Sequence, residues 1–212
     1  MNRFVLLGDA NVGKTCLIQQ YTKAQFNHHE TATVGAAFST ANIDYHNEKV
    51  EVNIWDTAGQ ERFESIAPIY ARSAIGAMIV FDLTCYESFQ HLKKWFAILE
   101  NRESVFVVVC GNKSDVARQG DFPQNEGVST DEAENFCKQN DALYFETSAK
   151  TGENVADAFQ FMFIGGLDKS IEGSQRRVGD SKGNAKNKNG SNNDGNVIDI
   201  SNSNEKKEDG CC

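Results

Sequence analysis

Three stretches of this chain are almost wholly apolar, and one alternates. RFVLL (Arg3–Leu7), MIVFDL (Met78–Leu83) and VFVVVC (Val105–Cys110) are short near-continuous hydrophobic runs. Strands buried on both faces of a parallel sheet read this way, because neither face meets water. VEVNIW (Val50–Trp55) instead puts Val50, Val52 and Ile54 on one face. Ala41, Ile43 and Tyr45 repeat that pattern just before it, across a short turn at His46-Asn47-Glu48, which predicts an antiparallel edge hairpin. Ser129-Thr130-Asp131-Glu132 reads as a capping box opening a helix toward Cys137. Val155, Ala158, Phe159, Met162 and Phe163 fall at helical spacing and predict a last amphipathic helix whose aromatics serve the core. Strands alternating with helices imply an α/β fold with a mostly parallel sheet and helices on both faces. In such folds ligands bind at the carboxyl ends of the strands.

Composition changes after the last aromatic, Phe163: from Gly173 onward Asn, Gly, Ser, Lys and Asp dominate. A segment so poor in apolar surface cannot offset the entropy of ordering itself, so about 170–212 is expected to be a disordered linker. The chain is therefore divided into a folded domain, 1–168, and a tail, 169–212. At 212 residues and 40% hydrophobic content, one domain with a sizeable core is expected. The first apolar run is broken at Gly8-Asp9, too early for a secretory signal, and no stretch nears the ~20 apolar residues of a membrane span. Cys16, Cys85, Cys110 and Cys137 are scattered without metal-ligand spacing, and a soluble, intracellular, reducing location is expected.

The net charge of −9 is unevenly placed: 8 basic and 7 acidic residues from Lys169 onward leave the tail at +1 and the body at −10. An acidic body with no basic stripe argues against nucleic-acid binding. A near-neutral tail argues against a polybasic membrane patch.

The first strand runs into GDANVGKT, Gly8 to Thr15, which fits G-x-x-x-x-G-K-[ST] between a strand and a helix. Gly8 and Gly13 permit backbone conformations that let consecutive N–H groups, through Asn11 and Val12, turn around an anion. The following helix adds its positive N-terminus. Lys14 supplies a point charge to the outer phosphates, and the Thr15 hydroxyl is a candidate Mg²⁺ ligand. A glycine-rich turn with a solvated lysine is the bland alternative, and the correct flanks weigh against it.

Four further stretches accompany this loop. Trp55-Asp56-Thr57-Ala58-Gly59-Gln60-Glu61 closes the third strand; Asn112-Lys113-Ser114-Asp115 follows the strand ending at Cys110. Glu146-Thr147-Ser148-Ala149-Lys150 follows a strand at Ala142–Phe145, and Thr33 lies between the first helix and the second strand. Together, in this order and at strand ends, they resemble a Ras-superfamily small GTPase over about residues 1–167. VGAAF (Val34–Phe38), RFESI (Arg62–Ile66) and the terminal Cys211-Cys212 resemble the Rab family of membrane-traffic GTPases. GAAF with SIAPIY (Ser65–Tyr70) is most similar to its early-endosomal branch.

The resemblance implies a P-loop small-GTPase fold with a six-stranded sheet and one antiparallel edge strand. It implies a switch that binds GTP or GDP with Mg²⁺, slow in hydrolysis without an activating protein. Thr15 and Thr33 would ligate the ion directly and Asp56 through water. The backbone N–H groups of Thr33 and Gly59 would hold the γ-phosphate, and Gln60 would orient the attacking water. Phe26 would stack on guanine, Asn112 steady the base, Lys113 lie along the ring, and the Ala149 N–H meet O6, with Ser148 and Lys150 in the same loop. Asp115 has an independent rationale. Guanine presents N1–H and a 2-amino group side by side to a carboxylate, whereas adenine offers an acceptor at N1 and would be repelled.

The implied partners are an exchange factor, an activating protein, a GDP-dissociation inhibitor, a prenylation escort, and effectors reading 26–38 and 57–73. A membrane is implied too, reached through lipids on Cys211 and Cys212; the location implied is the cytoplasmic face of endosomal membranes with a cytosolic pool. Two other readings compete, a nucleotide-bound scaffold that does not cycle and a P-loop kinase. Lys14, Thr33 and Gln60 argue against the first, and the lack of a free lid segment argues against the second. The chain departs from the family pattern at Ala10 and Asn11, at YARSA (Tyr70–Ala74), and in a longer loop at Arg118–Gly127.

Overall fold

The computed structural model describes residues 2–27, 31–60, 65–99, 104–120 and 127–183, the stretch 175–183 by its backbone alone. Among these, the strands β1 (Arg3–Leu7), β2 (Ala36–Tyr45), β3 (Glu48–Thr57), β4 (Gly76–Asp82), β5 (Phe106–Asn112) and β6 (Leu143–Glu146) form one sheet in the order β2-β3-β1-β4-β5-β6. Every neighbouring pair is parallel except β2 with β3. The expected six-stranded, mostly parallel α/β fold with one antiparallel edge strand is what forms.

The continuous apolar runs sit where their pattern requires, with alternate residues feeding two cores. Phe4 and Leu6 of β1 join a cluster with Leu17 and Ile18 of helix α1 (Lys14–Lys23) and Phe159, Met162 and Phe163 of α7 (Val155–Gly183). Val5 and Leu7 face the other way, against α2 (Ala67–Ala71), α3 (Tyr86–Gln90), α4 (Leu92–Ile98) and α6 (Thr130–Gln139). Phe159, Met162 and Phe163 are 0% exposed, so each contributes roughly 1.5–3 kcal/mol by burial.

The hairpin is tighter than its sequence suggests. Tyr45 pairs with Glu48, leaving two turn residues, His46 and Asn47, both at positive φ (48° and 66°). That is the signature of a type I′ turn, whose twist matches that of the strands. At α6 the Ser129 hydroxyl accepts from the Glu132 N–H at 3.3 Å, while the Glu132 carboxylate accepts from the Tyr86 hydroxyl of α3 at 2.6 Å. The cap therefore also ties two helices together.

Composition alone misplaces the end of α7. Its polar character from about 170 predicts a loose segment, yet the helix continues to Gly183. Low apolar content rules out tertiary burial, but a packed helix has already met the cost of nucleation and can extend by local hydrogen bonds. The Ser174 hydroxyl donates to the Ser170 carbonyl at 2.9 Å. Residues 184–212, with Cys211 and Cys212, lie outside the described residues.

The order of strands reverses at β1: the chain moves to β3 on one side and to β4 on the other. The crevice at the carboxyl end of β1 is the topological switch point, where ligands bind in open α/β sheets.

Candidate functional site

Residues 8–15 leave β1 at that crevice and wind tightly before entering α1. Gly8, Asn11 and Gly13 all have positive φ (141°, 63° and 99°). At Gly8 a Cβ would lie 2.2 Å from the Val80 carbonyl oxygen, so this position admits only glycine. Val12 is buried in the core and Gly8 lies against β4, so both shape the loop from beneath. Lys14 lies under the loop, with Nζ donating to the carbonyls of Gly8 and Asp9, both at 2.7 Å. Burial lowers its ammonium to about 8, partly offset by the carboxylates of Asp56 and Asp9. An anion bound against a buried cation of this kind stabilises its charged form.

Beside it, three elements bring oxygen atoms together. Thr15 Oγ1 at the start of α1 donates to Asp56 Oδ2 of β3 at 2.6 Å. Thr33 Oγ1, from the segment before β2, lies 2.9 Å from Thr15 Oγ1 and 3.2 Å from Asp56 Oδ2. Two hydroxyls and one carboxylate form the hard, all-oxygen set that suits Mg²⁺, which takes one or two carboxylates and completes its shell with water and phosphate. The donor set therefore fits the ion the resemblance implies. Gly59 is pressed on the phosphate loop from the other side: a Cβ there would come 2.2 Å from the Asp9 carbonyl carbon and 2.4 Å from the Ala10 nitrogen. Its neighbour Gln60 lines the same cleft.

Asn112 ties the far end together. Its Nδ2 donates to the Val12 carbonyl at 2.8 Å, and its Oδ1 accepts from the Ala149 N–H at 3.2 Å and the Thr147 hydroxyl at 3.3 Å. One side chain thus joins the phosphate loop, β5 and the loop after β6. Asp115, on α5 (Ser114–Gln119), accepts from the Ser148 hydroxyl at 2.7 Å and stands 3.9 Å from the Lys150 ammonium. Lys113 is 2.6 Å from the Asp82 carboxylate, which extends it beside the cleft.

These groups enclose a cleft of about 370 Å³, within the range of pockets that hold a nucleotide-sized ligand. Of the residues singled out in the sequence, Asn11, Gly13, Lys14, Thr15, Thr33, Gly59 and Gln60 line one end; Phe26, Asn112, Lys113, Asp115, Ala149 and Lys150 line the other. Gly8, Val12, Asp56 and Ser148 stand behind this lining as supports. Residues 28–30 and 61–64, parts of the two predicted switch segments, and 121–126 of the long loop lie outside the described residues.

Sequence reasoning missed two carboxylates of the supporting layer, Asp82 and Glu153. Asp82 holds Lys113 and also accepts from the Thr84 hydroxyl at 2.7 Å. Glu153 takes Arg118 at 2.7 Å and Ser114 at 3.2 Å. A carboxylate closing the buried run MIVFDL was a signal for Asp82; nothing in the sequence pointed to Glu153.

The Ras family pattern matches residues 3–164. The chain is 42% identical over 159 residues to the human Ras-related protein Rab-30, covering 74% of this chain and 75% of that one. It is 39% identical over 158 residues to the fission-yeast GTP-binding protein ypt3, covering 74% and 71%. A P-loop crevice built to this plan, with sequence likeness along nearly all of the folded part, has one consequence: the chain belongs to the Rab small GTPases of the Ras family, GTP-hydrolysing switches of vesicle traffic.

Proposed function

We propose that this GTPase acts in endosomal and endocytic transport, with Mg²⁺ at the Thr15–Thr33–Asp56 oxygen cluster and the membrane reached through lipidated Cys211 and Cys212. The observation that carries the site reading is the cleft itself. A buried ammonium and an oxygen cluster stand at one end of about 370 Å³, and the Asp115 carboxylate at the other. That separation of a cation from a hydrogen-bond acceptor suits the two ends of a guanine nucleotide. The endosomal reading is supported by GAAF (Gly35–Phe38) and SIAPIY (Ser65–Tyr70).

Each residue then has a task. Lys14 gives up its contacts with the Gly8 and Asp9 carbonyls in part to meet the β- and γ-phosphates. Mg²⁺, when bound, neutralises charge on those phosphates. Thr33 and Gly59 touch only the phosphate that is lost, so hydrolysis frees the segments that carry them, an order–disorder switch. Gln60 orients the water. An activating protein, an exchange factor, a GDP-dissociation inhibitor, a prenylation escort and effectors read those segments or the tail.

Single-turnover hydrolysis on the purified full chain tests this reading. Gln60→Leu is expected to leave GTP affinity nearly unchanged and to slow hydrolysis, since Gln60 acts on the water and not on the bound ground state. Equal rates for both proteins in the presence of an activating protein would refute the role. A fluorescent fusion in living cells tests the location, and a label excluded from endosomes would overturn it.

A further inference from the structure

Asp9, the second residue of the phosphate loop, is held from outside the loop by two side chains that nucleotide chemistry does not require. Its Oδ1 accepts from the Trp95 indole N–H at 2.8 Å, and its Oδ2 is paired with His91 Nδ1 at 2.6 Å. His91 and Trp95 are one helical turn apart at the start of α4, where the Trp95 backbone N–H donates to the His91 carbonyl at 3.2 Å, so both reach the loop from one face. Trp95 is 1% exposed and fixed in the core, whereas the His91 side chain is 40% exposed. One donor is permanent and the other is open to solvent protons.

The peptide of Asp9 is also closely packed from two sides. Its carbonyl accepts from Lys14 Nζ at 2.7 Å, and a Cβ on Gly59 would overlap it. A movement of Asp9 therefore displaces both the phosphate-binding ammonium and the residue proposed to contact the γ-phosphate. We propose that His91 and Trp95 are positioning residues that clamp the phosphate loop through Asp9, and that protonation of His91 tightens the clamp, making nucleotide retention depend on pH. The proposal rests on the nucleotide-site reading above and adds a control to it.

The sign follows from hydrogen-bond chemistry. An ionised carboxylate only accepts, so Nδ1 must carry a hydrogen to bond it. As the imidazolium, His91 donates to the carboxylate as an ion pair; as the neutral ring it donates without that opposite charge, or loses the bond in the other tautomer. Among the described residues, the other charged or titratable groups that line the same hollow as His91 and Asp9 are Asp82, Cys85, Glu87, Lys94 and Lys113. Asp82 and Lys113 form their own 2.6 Å pair. Lys94 sits over the Trp95 ring at 4.9 Å, opposite in sign to Glu87. Retention is therefore expected to be stronger with His91 protonated than with it neutral.

The test uses the full chain loaded with a fluorescent GDP analogue, Mg²⁺ present, and the release rate measured at pH 5.5 and 8.0 against excess GDP. The wild-type ratio of release at pH 8.0 to that at pH 5.5 is expected to exceed that of His91→Asn by about fivefold, the step from a neutral to a cationic donor on the same carboxylate. Asparagine keeps a neutral donor, so that variant should fold and show little pH effect of its own. Trp95→Phe is expected to speed release at both pH values and keep the wild-type ratio. Equal ratios in wild type and His91→Asn would overturn the clamp. A wild-type chain that retains no analogue at either pH would overturn the nucleotide site instead.

Discussion

The Asp115 carboxylate accepts from the Ser148 hydroxyl and lies near Lys150, an arrangement that aims it into the cleft while leaving capacity for two more donors. Asp115→Asn should weaken GTP binding by on the order of 2–4 kcal/mol, the loss of a bidentate charge-assisted pair, and improve binding of xanthosine triphosphate. The new amide donates to the 2-keto oxygen that replaces the amino group. Competition titrations with both nucleotides would show it, and undiminished GTP affinity would remove Asp115 from base recognition. The cysteines give a second check at this scale. Burial pushes the Cys137 thiol up to about 12 and Cys110 higher still, while Cys16 and Cys85 are only half-buried. Alkylation requires the thiolate, so iodoacetamide at pH 8 should label Cys16 and Cys85 and spare Cys110 and Cys137 until the protein unfolds. Cys16 lines the cleft, and bound nucleotide should slow its labelling. Peptide mass mapping distinguishes these outcomes, and equal labelling of Cys110 and Cys16 in the native protein would contradict the burial.

At the scale of elements, the signals with a strict period or a defined cap were legible. The two-residue period placed β2 and β3, and Ser129 placed the start of α6 at Thr130. Ser129→Ala should cost about 1 kcal/mol, read as a lower urea midpoint at unchanged slope. A loss well below that would mean the Ser129 hydroxyl does not satisfy the Glu132 N–H. The end of α7 was not legible, because composition reports whether a segment can be buried, and helix extension needs only backbone hydrogen bonds once the preceding turns are packed. Equally hidden was the hydrogen bond from Tyr86 to Glu132, which joins α3 to α6 over 46 residues of sequence.

For the molecule as a whole, the question is how an acidic body meets a membrane. No helix among the described residues is long and apolar enough to cross one, and Lys206 and Lys207 are offset by Glu205, Glu208 and Asp209. A single lipid chain binds reversibly, and stable attachment takes a second signal. A basic patch would supply about 1 kcal/mol per residue, and here it is lacking. We therefore propose geranylgeranyl groups on both Cys211 and Cys212. Changing either to Ser should move much of the protein to the cytosol in cell fractionation, and changing both should release it. A double variant that still pellets with membranes would refute anchoring at this terminus.

What the sequence by itself determined were features carried by neighbouring residues: the buried strands, the hairpin, the phosphate loop, and the residue types at each strand end. Chain order and pattern were enough for these, because a strand's faces and a loop's backbone freedom are local properties. Only the tertiary structure decided which distant groups meet. It placed Thr15, Thr33 and Asp56 within 3.2 Å of one another, set Asn112 at the end of β5 as the tie between two loops, and put His91 and Trp95 on Asp9. Those contacts join residues 18 to 100 positions apart. They exist because the sheet order turns at β1 and gathers loops from both of its sides at one crevice, a property of the packed chain that no local window contains.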